Sequence, residues 1–145
     1  MFHHILVPTD GSPLSIVAVE KAIDLAADAD AKLTVLTVVS PFHAFSLSAD
    51  QLADTRAAYE NQARMHAAEI LTDAQLKAKA RGVSCEVVRL EGAAPYEAII
   101  ATAGKAGCDL IAMASHGRGG VAAVVLGSET LKVLTHSKIP VLVYR

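Results

Sequence analysis

Apolar runs and helical repeats of apolar residues alternate along the whole chain. Strands that are buried on both faces produce continuous apolar runs, whereas a helix packed on a sheet repeats its apolar residues every three or four positions. The pattern predicts five strands, over residues 3–8, 32–39, 84–91, 109–115 and 139–144. It predicts four helices between them, over 13–28, over 49–81, from 95 onward and over 128–136.

Residues at the helix ends support these boundaries. Ser12 suits the N-cap of the first helix, because its hydroxyl can accept a backbone N–H, and Pro13 suits the first helical position. Neither Gly nor Pro occurs over residues 49–81, and Gly82 is expected to end the second helix. The apolar face of that helix is predicted at Tyr59, Ala63, Ala67, Ile70 and Ala74.

The alternation of strands and helices predicts an α/β fold with a mostly parallel sheet and helices on both faces. Charged residues in the third strand favour an edge position, and the fifth strand, which begins at Ile139-Pro140, suits the other edge. With right-handed crossovers, these edges favour an open five-stranded sheet of order 3-2-1-4-5, in one domain over residues 1–145. Such sheets bind ligands where the winding reverses, which here lies between the loops 9–12 and 115–128.

Composition narrows the class of protein. Hydrophobic residues make up 52% and charged residues 19% of the 145 residues, which excludes a disordered chain. No apolar run reaches the roughly 18 residues of a membrane span, and a net charge of −2 without a basic stripe argues against a nucleic-acid partner. The start of the chain lacks signal-peptide features, and Cys85 and Cys108 lack metal-ligand spacing. We therefore expect a cytoplasmic protein with buried, reduced thiols.

A candidate ligand-binding segment runs from Ala114 to Gly120 and is followed by Gly127-Ser128 at the start of a helix. Glycines let backbone amides approach a ligand closely, and free N–H groups at a helix N-terminus favour an anion. Position and spacing favour a phosphate-binding loop, against the alternative of a plain surface loop in which Ser128 only caps the helix. A P-loop and a dinucleotide fingerprint are excluded, because the chain lacks the Gly-Lys-Ser/Thr ending and the glycine triplet.

The same segment resembles the nucleotide-binding motif of the universal stress protein family: Gly, two residues, Gly, nine residues, then Gly followed by Ser or Thr. Gly117 matches the second glycine, residues 118–126 match the spacer and Gly127-Ser128 matches the end. Segments 7–12 and 139–143 resemble the opening and the closing strand of that family. The resemblance implies a Rossmann-like fold of the adenine nucleotide alpha hydrolase type, a homodimer, and ATP, ADP or AMP as ligand, with Mg²⁺ as an optional companion.

Ala114 stands where the motif has its first glycine. A left-handed backbone at this position would make alanine cost about 1–2 kcal/mol, whereas an extended backbone at a strand end would accept the extra methyl group. We expect the alanine to be tolerated.

Individual residues carry further expectations. Asp10 follows the first strand, where its carboxylate can accept a hydrogen bond from a ribose hydroxyl or help to hold a metal ion. Alternatively, it closes a turn by accepting hydrogen bonds from its own backbone. Arg118 either neutralises phosphate charge or is solvated. His116 lacks the partners of a general base and is expected to shape the loop. No catalytic residue and no metal-ligand set is predicted.

The resemblance implies a set of nucleotide-contacting residues. Pro8 and Thr9 are expected to line the adenosine pocket, with backbone groups of Val38 beside the base. The full set is Pro8, Thr9, Asp10, Val38, Ala114, Ser115, His116, Gly117, Arg118, Gly119, Gly127, Ser128 and Glu129.

The leading functional hypothesis is a nucleotide-binding regulatory dimer of the stress response. A low-turnover, Mg²⁺-dependent ATPase or phosphotransferase is the alternative, disfavoured because no base or lysine clamp is evident in the loop. A flavodoxin-like electron carrier is a third hypothesis, but aromatic residues make up only 4% of the chain and Trp is absent. The last strand, Val141–Tyr144, is short, apolar and at a sheet edge, which predicts homodimer formation by antiparallel pairing of this strand.

Overall fold

The computed structural model describes residues 1–42, 48–117 and 126–145. In chain order the elements are β1 (His4–Pro8), α1 (Pro13–Ala29), β2 (Lys32–Val39), α2 (Ala49–Ala80), β3 (Cys85–Glu91), α3 (Pro95–Ala106), β4 (Leu110–Ala114), α4 (Ser128–His136) and β5 (Val141–Tyr144). The predicted elements are confirmed, with several strands shorter by one or two residues. β5 starts after Pro140 because both the N–H and the carbonyl of Ile139 bond to the Ser137 hydroxyl, at 3.0 and 2.7 Å.

The five strands form one parallel sheet in the order β3-β2-β1-β4-β5, as predicted. Alternate residues of β1 point to opposite faces, so that Ile5 and Val7 pack with α1 and α2 while Leu6 packs with α3 and α4. All three side chains are completely buried. The sheet therefore divides the core into two apolar clusters, one under each pair of helices.

Alanines bring α1 close to the sheet. Ala18, Ala22 and Ala26 are fully buried along one face of this helix. The helix begins as predicted: Ser12 is the N-cap, its hydroxyl accepts the Ser15 N–H at 3.4 Å, and Pro13 is the first helical residue. The small alanine side chains of α1 leave the space between helix and sheet to the larger, β-branched residues of the strands.

The helix α2 is longer than the strands that it covers. Its 32 residues span about 48 Å, whereas the eight residues of β2 span about 26 Å. Its second half is buried at Ala67 and Ala74, as predicted, but Tyr59 in its first half is 36% exposed. The predicted apolar face is therefore correct only where sheet lies beneath it. Gly82, with φ +72°, follows the last turn, as expected.

The two cysteines differ in environment. Cys108 is buried, but Cys85 is only half-buried, which corrects the expectation that both lie in the core. Burial raises the pKa of each thiol to about 11, and nearby carboxylates add to this shift. Both thiols are therefore protonated at neutral pH.

Within the described ranges, none of the helices combines the length and the apolarity that crossing a bilayer requires.

One carboxylate joins the starts of β1 and β4. Asp109 precedes β4, and its Oδ1 and Oδ2 accept the N–H of His3 at 3.1 and 2.9 Å, while Oδ1 also accepts the N–H of His4 at 2.9 Å. Partial burial raises the pKa of this carboxyl, but the hydrogen bonds from His4 and His3 outweigh it and hold the pKa below its ordinary value of 3.8. The ionised form thus stabilises the fold.

We predict that Asp109→Asn lowers the free energy of unfolding by about 1–2 kcal/mol at pH 7, because a half-exposed charged acceptor is replaced by a neutral one. In the parent protein this contribution is present above the unfolded pKa near 3.8 and is lost as the pH falls through the lower folded pKa. Urea unfolding between pH 7 and pH 3 measures both effects. An equal acid-side loss in parent and Asp109→Asn would contradict the prediction, and the exposed Asp54→Asn on α2 serves as control.

Candidate functional site

A cavity of about 480 Å³ lies at the carboxyl ends of β1, β2 and β4. It occupies the place where the winding reverses, as predicted, and its volume falls within the range of small-molecule sites. The N-termini of α3 and α4 complete its wall. Its lining comprises Pro8, Thr9, Asp10, Ser15, Leu36, Val38, Pro95, Ile99, Met113, Ala114, His116, Gly117, Leu126, Gly127, Ser128, Glu129 and Thr130.

The loop after β1 is held by a dense set of hydrogen bonds. The N–H of Thr9 donates to the Leu36 carbonyl at 2.8 Å, which extends the pairing of β1 with β2. The buried Thr9 hydroxyl shares a hydrogen bond of 2.8 Å with the Ser15 hydroxyl and accepts the N–H of Gly11 at 3.2 Å. The chain's own hydrogen bonds therefore hold the floor of the cavity.

Asp10 closes this loop onto the start of α1. Its Oδ1 accepts the N–H of Ser12 at 2.9 Å and the hydroxyl of Ser15 at 3.0 Å. The turn-closing role considered for this residue is thus present. Its Oδ2 lies against the backbone of Gly117, so that a Cβ at Gly117 would collide with that oxygen. A side chain at position 117 would therefore have to displace the Asp10 carboxylate, which Ser12 and Ser15 hold.

Ala114 is the last residue of β4 and lies opposite Tyr144 of β5. Among the described non-glycine residues, only Asp30 has a positive φ, so the backbone of Ala114 is not left-handed. Ala114 is buried, and its carbonyl accepts the Thr130 hydroxyl at 2.9 Å. The backbone penalty considered for alanine at this motif position therefore does not arise.

Gly127 connects the start of α4 to the end of β4. Its N–H donates to the Ser115 carbonyl at 2.7 Å. A Cβ at this position would lie 3.0 Å from the His116 Cα and 3.3 Å from the Ser115 carbonyl oxygen. A side chain at this position would therefore press against the backbone of residues 115 and 116. Gly127 is also the N-cap of α4, which begins at Ser128 as predicted, so the alternative in which Ser128 caps the helix is wrong.

Ser128 and Glu129 form the first turn of α4 and line the cavity. The first N–H groups of a helix have no partner within it, so this turn presents donors to the cavity. The Glu129 carboxylate is already engaged: Oε2 accepts the N–H of Tyr96 at 2.8 Å, and Oε1 lies 3.4 Å from the Lys132 Nζ. It thereby caps α3, whose own N-cap residue, Ala94, has no side-chain hydrogen bond.

The remaining predicted residues fall into three groups. Pro8, Val38 and His116 line the cavity, and the His116 Nδ1 lies 3.1 Å from the Ser115 hydroxyl, in keeping with a loop-shaping role. Ser115 does not belong to the lining and acts through its carbonyl on Gly127. Arg118 and Gly119 lie outside the described residues.

Sequence reasoning missed an apolar part of the lining. Leu36, Ile99 and Met113 belong both to the cavity wall and to the core cluster beneath α3 and α4. Their sequence pattern is that of any core residue, and only the positions of Leu36 and Met113 near the carboxyl ends of their strands could have indicated the site. Ser15, Pro95, Leu126 and Thr130 were missed as well.

A parallel, doubly wound sheet with a glycine-lined cavity at its winding reversal defines a Rossmann-like α/β protein. The sequence model of the Universal stress protein family matches residues 1–145, and this chain belongs to that family. The universal stress protein YxiE of Bacillus subtilis is 31% identical over 152 residues, which cover 100% of both chains.

Two solved structures of universal stress proteins are also similar. One, a universal stress protein in complex with cAMP, is 31% identical with a TM-score of 0.72 and covers 99% of this chain and 97% of its own. The other, UspA from Lactobacillus plantarum, is 27% identical with a TM-score of 0.73 and covers the same shares. The resemblance seen in the motifs is thereby confirmed for family and fold.

We predict that Gly127→Ala lowers the free energy of unfolding by about 1–3 kcal/mol, because the added methyl group forces the start of α4 away from His116. Gly104→Ala is the matched control, since Gly104 lies on an exposed part of α3 with no atom near its Cβ position. That variant should gain about 0.5–1 kcal/mol in helix propensity. Denaturant unfolding of both variants measures the difference, and an unchanged or raised stability of Gly127→Ala would contradict the assigned packing.

Proposed function

We propose that this chain binds an adenine nucleotide, ATP, ADP or AMP, in the cavity between β1 and β4, and that the bound form serves a regulatory role in the stress response. The observation that carries the proposal is the arrangement of Gly117 and the α4 N-terminus around a cavity of about 480 Å³. The related universal stress protein at 31% identity that was solved with cAMP supports it.

The cavity offers both the apolar and the hydrogen-bond donor groups that a nucleotide would contact. Leu36, Ile99 and Met113 offer apolar contact for the adenine ring, and Val38 is an adjoining strand residue. The first-turn amides of α4, from Ser128 onward, offer donors to phosphate oxygens, with the positive end of the helix dipole behind them. Asp10 also belongs to the lining and lies beside Gly117.

A magnesium ion would enter with the phosphates. Among the described residues, no three His, Cys, Asp or Glu side chains form a group that could hold a metal ion. Mg²⁺ commonly takes most of its oxygen ligands from substrate phosphates and water, and the carboxylate of Asp10, beside Gly117, would supply a further oxygen ligand.

The described lining favours binding over catalysis. It contains neither Lys nor Arg in the described ranges, whereas phosphoryl transfer relies on cations that stabilise the transferred group. A low-turnover ATPase is the second candidate, favoured by the same α4 amides. Incubation with ATP and Mg²⁺, followed by separation of ATP from ADP, distinguishes the two.

We predict that Gly127→Val weakens adenine nucleotide binding roughly a hundredfold or more, because the side chain displaces the α4 amides from the cavity. Gly92→Val is the control, since Gly92 is a loop glycine with no atom within 4 Å of its Cβ position. Isothermal titration with ATP and AMP measures both, and circular dichroism checks the fold. Parent-like binding by folded Gly127→Val would refute the placement of the phosphates.

We also propose a homodimer through β5. This strand is at the sheet edge, and Leu142 at its centre is 37% exposed. The helix α4, which precedes β5, leaves Leu131 and Leu134 53% and 39% exposed. Antiparallel pairing of two β5 strands about a two-fold axis would pair the outer strand edge and cover Leu142.

We predict that Leu142→Glu converts the dimer to a monomer, because two carboxylates would face each other across the axis. Leu76→Glu on α2 is the matched control, since Leu76 is 62% exposed and lies on another surface. Sedimentation velocity gives the mass of both variants. A dimeric Leu142→Glu, or a monomeric parent, would rule out this interface.

A further inference from the structure

We propose that Glu129 is a specificity-determining residue, whose fixed carboxylate opposes the binding of each added phosphate charge and so selects among adenine nucleotides. This inference rests on the proposed nucleotide function and concerns the same cavity. It follows from the position, the fixation and the charge of one side chain.

The position of Glu129 brings a negatively charged residue to the wall of the cavity, in the first turn of α4. It is the second residue of α4, between Ser128 and Thr130, and all three line the cavity. The helix N-terminus attracts anions through its dipole and its unpaired amides. A carboxylate in the same turn weakens this attraction, because its negative charge repels the negative charge of an incoming phosphate.

Hydrogen bonding fixes the carboxylate in place. Oε2 accepts the Tyr96 N–H at 2.8 Å, a donor that the N-cap residue Ala94 does not satisfy by a side chain. The Tyr96 ring is held in turn, with its centre 5.4 Å from the Lys132 Nζ and 5.3 Å from the His136 ring centre. Rotation of the Glu129 side chain away from the start of α3 would leave the Tyr96 N–H without this acceptor.

The described lining does not offset this charge. Its formally charged members are Asp10 and Glu129, both acidic, and no lysine or arginine lines the cavity within the described ranges. Lys132 lies 3.4 Å from the Glu129 Oε1, but its side chain is 48% exposed and partly screened by solvent. The penalty therefore grows with the number of phosphate charges, and it is absent for adenosine.

The variant Glu129→Gln separates charge from geometry, because the amide oxygen of Gln can still accept the Tyr96 N–H. Isothermal titration with adenosine, AMP and ATP in EDTA measures the selectivity without a metal ion. We expect ATP to bind Glu129→Gln roughly three- to tenfold more tightly than the parent, AMP to gain less, and adenosine to change by less than about twofold. Glu86→Gln removes the same charge from an exposed position near the start of β3, and should leave all three affinities within about twofold.

Lys132→Gln provides a second test that leaves Glu129 intact. Loss of the partner cation should weaken ATP binding roughly two- to threefold and leave adenosine unchanged. An unchanged ratio of ATP to adenosine affinity in Glu129→Gln, or an equal change in Glu86→Gln, would overturn the inference. Weaker adenosine binding in Glu129→Gln would assign the residue a purely structural role and also overturn it. A parent that binds none of the three ligands would instead refute the proposed function itself, and the inference with it.

Discussion

The structure depends on the limited pairing of β1 with β4 at the centre of the sheet. The two strands are paired at Ile5 with Leu110 and at Leu6 with Ile111, whereas β4 continues alongside β5 as far as Ala114. The chain winds outward from this pair in opposite directions, so no crossover helix covers the gap beyond it. The cavity is therefore a consequence of topology, and the loops after β1 and β4 decide its shape.

Two glycines let these loops approach each other and the helix beyond. Gly117 brings the loop after β4 against the Asp10 carboxylate, and Gly127 brings the start of α4 against His116. Neither glycine has a positive φ, so absence of a Cβ, and not a left-handed backbone, is the property that the fold uses. The motif that resembles a phosphate-binding loop is thus first a packing motif, which creates the place where α4 presents its amides.

Features that depend on local sequence and chain connectivity could be predicted, whereas features that depend on contacts between distant residues could not. Strand order, the Ser12 cap and the Gly82 helix end follow from local pattern and chain connectivity, and they are confirmed. The roles of Leu36 and Met113 depend on where β1 and β4 separate, so their core-like pattern conceals them. The helix α4 starts at Ser128 as predicted, but the alternative role of Ser128 as its cap is wrong: Gly127 is the N-cap, and its N–H donates to the Ser115 carbonyl, a contact that the local sequence does not reveal.

Glu129 shows most clearly why a sequence cannot reveal this site in full. Its hydrogen-bond partner Tyr96 is 33 residues away and begins a different helix. In sequence, an acidic residue in the first turn of a helix indicates only a favourable interaction with the dipole. In the fold, the same carboxylate caps α3 and joins two helices, and it belongs to a residue of the cavity lining, so that the geometry of the wall depends on one side chain. Any substitution that removes the acceptor changes this geometry, because α3 contributes Pro95 and Ile99 to the lining.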